Sequence, residues 1–257
     1  MLTLISPAKT LDYETPATTE TFSQPTQLAQ SRKLIRRLRE LSEGDLSKLM
    51  SISGKLAEVN QQRFKQWKTP FKPENARQAV FAFKGDVYIG LDAYSLDEPG
   101  LEFAQEHLRI LSGLYGVLRP LDLMQPYRLE MGTRLDTDAG SNLYQFWDKR
   151  ITDSLNKELR ETGSRTVVNL ASNEYFKVVQ PNRLKSDIIT PNFRELRNGE
   201  HKFISFSAKK ARGLMSRYII DHRIDQPEGL KDFNYEGYRF APELSEGNDW
   251  IFTRKPQ

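Results

Sequence analysis

The spacing of apolar residues changes along this 257-residue chain, and that change limits the folds open to it. Near the N-terminus the apolar residues recur every three to four positions, as on one face of a helix. This pattern predicts a helix over 26–41, followed by two more over about 45–51 and 53–67. Further along, helical spacing predicts helices over 100–112 and 143–162.

Strand patterns dominate the later part of the chain. Strands are predicted at 2–5, 166–170, 187–194 and 200–207, with a hairpin or strand pair over 80–91 and two strands within 233–254. The pair Asn198-Gly199 is typical of a tight turn between two of these strands. Helices and strands are mixed and no linker divides them, so we expect an α+β fold: one domain over 1–257 with an N-terminal helical region and a mixed sheet.

Composition excludes several classes of function. The chain has no cysteine, which rules out disulfide-linked partners, thiolate metal sites and thiol redox sensing. Its three histidines lack metal-ligand spacing, so we expect no metal and no cofactor. No long apolar run and no signal peptide are evident, so we expect a cytoplasmic protein without a membrane partner. Lys and Arg exceed Asp and Glu by 38 to 34, a mild excess that permits binding to nucleic acid.

A cationic segment over 208–220 is the most informative stretch. Ser207 is placed to cap a helix whose first turn would carry Lys209, Lys210 and Arg212, with Arg217 beyond them. The start of a helix already bears partial positive charge, so cations there favour a bound anion. The alternative is a solvated basic face of an ordinary helix.

Polar residues follow the first strand. Ser6, Lys9 and Thr10 lie in this loop, where a phosphate could bind, but the loop lacks the glycines of a Walker loop. Lys84 and Asp86 form a charged pair in an otherwise apolar run. Each group is either part of a polar cavity or an ordinary polar turn.

A strand that runs into a helix offers another candidate. Ser172 and Glu174 follow the strand over 166–170, and ligands often lie where strands end beside helix starts. The same two residues also make a satisfactory helix start without any ligand.

Two glycines, Gly113 and Gly116, end the helix predicted over 100–112. If a short helix follows Pro120, the intervening turn resembles a helix-hairpin-helix element whose backbone N–H groups hold a DNA phosphate, with Arg119 beside it. The turn in that motif is usually Gly–apolar–Gly, and this one is a residue longer. The alternative is an ordinary loop.

The predicted helix over 26–41 carries a basic row of Arg32, Arg36 and Arg39. This row is either a phosphate contact or a solvated face.

Five segments together resemble the bacterial YaaA family of peroxide-stress proteins. They are Ser6–Asp12, Phe83–Tyr88, Leu108–Gly132, Asn169–Lys177 and Ser207–Ile220. The resemblance implies a DNA-binding protein that limits free iron and oxidative DNA damage during peroxide stress. It also implies a helix-hairpin-helix element, which we assign to Gly113–Gly116, and a basic cleft formed by Lys9, Lys84, Lys209, Lys210, Arg212 and Arg217.

Two other functions remain open. The first is an enzyme acting on a nucleotide or nucleic acid, with Lys9, Lys84, Asp86, Glu174 and Lys209 in one pocket. The second is iron binding by carboxylates and histidine alone. A compact pocket of lysine and carboxylate would favour the enzyme, and an open basic groove would favour DNA.

Overall fold

The computed structural model describes residues 1–255, which form one mixed α+β unit. The α-helices are α1 (Leu28–Arg39), α2 (Glu43–Met50), α3 (Gly54–Gln66), α4 (Ala79–Ala82), α5 (Asp86–Leu91), α6 (Glu98–His107), α7 (Leu143–Trp147), α8 (Arg150–Thr162), α9 (Asn173–Phe176) and α10 (Ser205–Asp221). The strands are β1 (Leu2–Ile5), β2 (Thr10–Leu11), β3 (Arg77–Gln78), β4 (Phe83–Lys84), β5 (Leu108–Ser112), β6 (Gly116–Leu118), β7 (Leu123–Met124), β8 (Thr166–Leu170), β9 (Asp187–Arg197), β10 (Glu200–Lys202), β11 (Arg239–Phe240) and β12 (Asp249–Arg254). Short 3-10 helices span Ala93–Ser95, Lys177–Val179, Pro181–Arg183, Pro227–Asp232, Tyr235–Gly237 and Pro242–Leu244.

Parallel strands form the centre of the main sheet. The strand order is β11-β12-β9-β8-β1-β5-β6, and β10 pairs with β9. The strands β12, β9, β8, β1 and β5 run parallel, whereas β11, β10 and β6 are antiparallel to their neighbours. Every residue of β1 and β5 is buried, as continuous apolar runs in parallel sheets usually are. The loops that follow β1 and β8 therefore lie side by side at one edge of the sheet.

The three predicted N-terminal helices are confirmed to within about two residues at each end. α1 buries Leu34, Ile35 and Leu38 on one face. α2 begins at a capping box, in which the Ser42 side chain accepts from the N–H of Asp45. α3 begins with Ser53 as its N-cap. The mixed sheet, the β9–β10 hairpin and the two C-terminal strands are confirmed as well.

Two predicted elements in the middle of the chain are wrong. Residues 80–91 do not form a hairpin but fold as the end of α4, the two-residue β4 and α5. The helix predicted over 100–112 ends at His107, and Leu108–Ser112 continue as β5. A fully buried apolar run fits helical and strand spacing equally well. Leu108–Ser112 form a strand because they pair with β1 on one side and β6 on the other.

Two predicted boundaries also differ from the structure. The helix predicted over 143–162 is interrupted at Asp148, whose backbone leaves the helical region at φ 43° and ψ −125°. The strand predicted over 200–207 ends at Lys202, and α10 begins at Ser205. This second shift moves the cations of α10 away from the start of the helix.

Candidate functional site

The carboxyl ends of β1 and β8 bring two serines together. The Ser6 hydroxyl accepts a hydrogen bond of 2.9 Å from the Ser172 N–H and lies 3.3 Å from the Ser172 hydroxyl. The Tyr88 hydroxyl donates to the Ser6 carbonyl at 3.1 Å, and burial holds the pKa of Tyr88 well above its usual range. The proximity of Ser6 and Ser172 follows from two parallel strand ends meeting at one edge of the sheet.

A lysine and two glutamates lie at this same edge. Lys9 Nζ is 2.8 Å from Glu130 Oε2, and Arg128 lies 3.2 Å from the other oxygen of Glu130. Glu174 accepts a 2.9 Å hydrogen bond from the Gly132 N–H. Burial raises the pKa of Tyr175, and the negative charges of Glu174 and Glu130 raise it further. Glu130 is a residue that the sequence analysis missed.

Lys84, Thr10 and Asp86 form a neighbouring group. Thr10 pairs with Lys84 across the β2–β4 ladder, and Lys84 Nζ lies 3.6 Å from Asp12 Oδ2. Hydrogen bonds from Thr15 hold the pKa of Asp12 well below its usual range. Asp86 is half-buried in the first turn of α5. The structure thus separates the predicted polar pocket into two adjoining groups, one at Ser6 and one at Lys84.

This edge can support acid–base chemistry, since it presents exposed lysines beside half-buried carboxylates. Within residues 1–255 no group of three or more His, Asp or Glu side chains is arranged to hold a metal ion.

The cations of α10 are placed differently from the prediction. The N-cap is Ile204, and the first turn consists of Ser205–Ala208, so Lys209 and Lys210 lie in the second turn. The capping role predicted for Ser207 is therefore wrong, because the strand before it is shorter. Lys210 forms an ion pair with Glu236. Lys209 is exposed and forms no ion pair with any residue in 1–255.

Arg217 and Arg212 also differ from each other. Arg217 is 2.7 Å from Asp221 and 3.8 Å from Asp92, so it joins α10 to the end of α5. Arg212 is half-buried, and burial lowers the pKa of its guanidinium. It forms no ion pair with a carboxylate in the part of the chain that the structure describes.

The helix-hairpin-helix element predicted at Gly113–Gly116 is wrong. These residues form the buried turn between β5 and β6, and the residues after Pro120 include β7 in place of a second helix. A Cβ on Gly113 would lie 2.2 Å from the Leu129 carbonyl oxygen, and one on Gly116 would lie 2.8 Å from the Trp147 ring. The glycines therefore permit close packing of the core and present no N–H groups to solvent.

Arg119 has a structural role next to this turn. Its guanidinium lies 2.9 Å from buried Asp122 and donates to the Gln24 carbonyl at 3.2 Å. We therefore leave Gly113, Gly116 and Arg119 out of the candidate DNA surface.

Helices α2 and α3 follow each other through a short connection that the sequence analysis did not single out. The three residues Ser51–Ser53 join them, and Ser51 adopts the left-handed conformation with φ 52° and ψ 51°. The connection reads Ser-Ile-Ser and lacks the glycines of the usual Gly–apolar–Gly turn.

The basic row of α1 is partly occupied by structural contacts. Arg39 donates to the carbonyls at the end of α3, and Arg32 donates to the Thr69 hydroxyl at 3.1 Å. Lys33 and Arg36 are exposed.

Within residues 1–255, no helix combines the length and apolar character needed to cross a membrane.

The family described as peroxide stress protein YaaA matches residues 1–244. A UPF0246 protein of Aliivibrio fischeri (strain ATCC 700601 / ES114) is 57% identical over 257 residues, which cover 100% of this chain and 99% of the relative. UPF0246 proteins of Hahella chejuensis and Saccharophagus degradans are each 56% identical, over 99% of this chain and 99% and 100% of their own lengths. The match over residues 1–244 and the full-length relatives show that the chain belongs to the YaaA family of peroxide stress proteins.

Proposed function

We propose that this protein binds DNA in the cytoplasm during peroxide stress and so limits oxidative damage to the DNA. In this proposal the α2–α3 turn contacts the phosphate backbone. Membership of a peroxide-stress family supports a role during peroxide stress. The observation that carries DNA binding is the exposed turn between two helices, since backbone N–H groups at such a turn bind phosphate without reading bases.

The start of α3 is open to a ligand. Ser53, Gly54 and Lys55 are exposed, and a Cβ built on Gly54 would have no atom within 4 Å. The first N–H groups of a helix have no partner inside the helix, and the helix dipole adds positive potential there. A phosphate oxygen can therefore approach the backbone of Gly54 closely.

Lysines flank this turn on both sides. Lys48 lies in the last turn of α2 and Lys55 in the first turn of α3, and both are exposed. Neither forms an ion pair with a residue in 1–255, so both are available to a phosphate. Lys209 and Arg212 are further candidates for the same reason, whereas Lys9, Lys84, Lys210 and Arg217 already contact carboxylates.

The test compares two charge reversals. Lys55→Glu should weaken binding to a duplex oligonucleotide by about tenfold, because it removes one phosphate contact and adds repulsion. Lys185→Glu makes the same charge change at an exposed lysine before β9 and should change the affinity less than about twofold. Equal losses in the two variants would mean that only net charge matters and that the turn is not the contact.

A second candidate function is an enzyme acting on a nucleotide or nucleic acid. The observation that favours it is the group of Lys9, Glu130 and Glu174 beside the Ser6–Ser172 pair, at the edge of a parallel sheet where ligands often bind. If this group is catalytic, the wild-type protein should convert DNA, RNA or a nucleoside triphosphate into a product. The Glu174→Gln variant should fold normally but form no product. An unchanged product with the variant, or no product with wild type, would reject it.

The link to free iron is proposed to be indirect, through DNA or another partner. The chain has no cysteine, and residues 1–255 contain no group of side chains arranged for a metal. We expect the purified, dialysed protein to carry no stoichiometric iron, zinc or copper. About one metal ion per chain by elemental analysis would contradict this expectation.

A further inference from the structure

A groove of about 1190 Å³ runs along the C-terminal end of α3, between that end and the segments 13–22 and 73–78. Four cations line it: Arg63, Lys65, Lys68 and Arg77. They face only two carboxylates of the groove, Glu20 and Glu74, so the groove carries a positive excess. None of these residues belongs to the strand edge or to the α2–α3 turn.

Two of the cations are half-buried and have no carboxylate partner within residues 1–255. Among these residues, the side chain of Arg63 makes one hydrogen bond, a long contact of 3.5 Å to Asn60 Oδ1, and burial lowers the pKa of its guanidinium. Arg77 donates to the Thr15 carbonyl and to the Tyr94 hydroxyl, but its Nε is buried without a partner. Neither guanidinium contacts a carboxylate of residues 1–255. Charges withdrawn from water without a counterion are costly, and an anion in the groove would compensate both.

Aromatic side chains line the same groove. Phe22 is 44% exposed, and Trp67 and Tyr13 lie deeper. An exposed phenylalanine near guanidinium groups offers a flat apolar surface for a ring that is attached to an anion.

We propose that this groove binds a nucleoside phosphate, with the phosphate at Arg63 and Arg77 and the base against Phe22. Guanidinium groups bind phosphate in a bidentate manner, and aromatic faces accept any base. The nucleoside phosphate is either a free nucleotide or an unpaired nucleotide of a DNA strand. This site is separate from the duplex contact proposed for the α2–α3 turn.

The experiment measures binding of dAMP, of a ten-residue oligothymidylate and of inorganic phosphate by isothermal titration calorimetry. Wild type should bind dAMP or the oligonucleotide at least about tenfold more tightly than inorganic phosphate. Binding of dAMP would identify a free nucleotide, and binding of the oligonucleotide alone would identify an unpaired nucleotide of a strand. Equal affinity for inorganic phosphate, or no binding of either nucleotide probe, would overturn the proposal.

Variants locate the site. Phe22→Ala and Arg63→Gln should each weaken the tighter probe by about tenfold. Lys68→Gln changes an exposed side chain at the rim of the groove and should weaken binding of that probe about threefold. This variant keeps the test valid if Arg63→Gln fails to fold. Lys72→Gln is the matched control, because Lys72 is exposed nearby but does not line the groove. Wild-type affinity in the Phe22 and Lys68 variants would contradict the site.

The two proposals fail separately. Phe22→Ala should retain duplex binding, and Lys55→Glu should retain binding of dAMP or the oligonucleotide. If Lys55→Glu lost the groove ligand as well, the groove would not be an independent site.

Discussion

The guanidinium of Arg39 donates a hydrogen bond of 2.6 Å to the backbone carbonyl of Trp67. It also donates to the carbonyls of Phe64 at 2.8 Å and Lys65 at 3.2 Å. The last carbonyls of a helix have no partner inside the helix, so this one side chain satisfies the end of α3 and fixes it to α1. This contact therefore positions the end of α3 that lines the groove.

Arg39→Met should therefore lower the free energy of unfolding by about 1–2 kcal/mol, since it removes charge-assisted hydrogen bonds but keeps the apolar stem. Arg36→Met is the matched control in the same helix, because Arg36 is also exposed but makes no side-chain hydrogen bond or ion pair with residues 1–255, and it should change stability by less than about 0.5 kcal/mol. Urea denaturation of both variants checks this, and equal midpoints would refute the role of Arg39.

Gly116→Ala should be strongly destabilising. A glycine in an exposed phosphate-binding turn would instead matter more for binding than for folding. Gly116 has φ +73°, and the added Cβ would lie 2.8 Å from the Trp147 ring, so left-handed strain and overpacking act together at about 2–4 kcal/mol. Gly163→Ala is the control: its φ is +67° but no atom lies within 4 Å, so only the strain of about 1 kcal/mol remains. Similar melting temperatures for the two variants would be inconsistent with this packing.

Lys210→Glu should destabilise the protein by about 1–2 kcal/mol, whereas Lys209→Glu should be nearly neutral. Lys210 pairs with Glu236, which also lies 2.8 Å from Arg254, so the variant places two carboxylates together. Thermal unfolding of the two single variants measures the difference. A stabilising effect of Lys210→Glu would contradict a stabilising role for the Lys210–Glu236 ion pair.

Stability should fall on acidification because of Glu195. Burial alone would raise the pKa of this carboxyl, but hydrogen bonds from Ser207, Arg254 and Arg197 outweigh burial and lower the pKa from 4.5 to about 2. A lowered pKa gives stability that is present above the unfolded value and is lost as pH falls, here between about pH 5 and 2. The loss should be about 3 kcal/mol at most.

Glu195→Gln tests the source of this pH dependence. The variant should be less stable than wild type at pH 7 and should lose less stability between about pH 5 and 2. Identical pH profiles for the two proteins would show that other carboxyls are responsible.

Local sequence patterns were sufficient to predict the three N-terminal helices. The apolar spacing of α1, α2 and α3 is readable without tertiary context. The buried run Leu108–Ser112 was misread because its spacing fits either element and only its neighbours β1 and β6 decide. The site shows the same division: Ser6 and Ser172 were predicted from strand ends, whereas Glu130 and Arg63 depend on contacts between distant segments.

The salt dependence of duplex DNA binding tests the central claim most directly, when wild type is compared with the double variant Lys48→Ala/Lys55→Ala. With about four to six phosphate contacts, the wild-type plot of log affinity against log salt should have a slope of about −4 to −5. The double variant should bind more weakly, and its slope should be shallower by about 2 because two contacts are lost. Salt-insensitive binding by wild type, or an identical slope in the double variant, would contradict DNA binding at the α2–α3 turn.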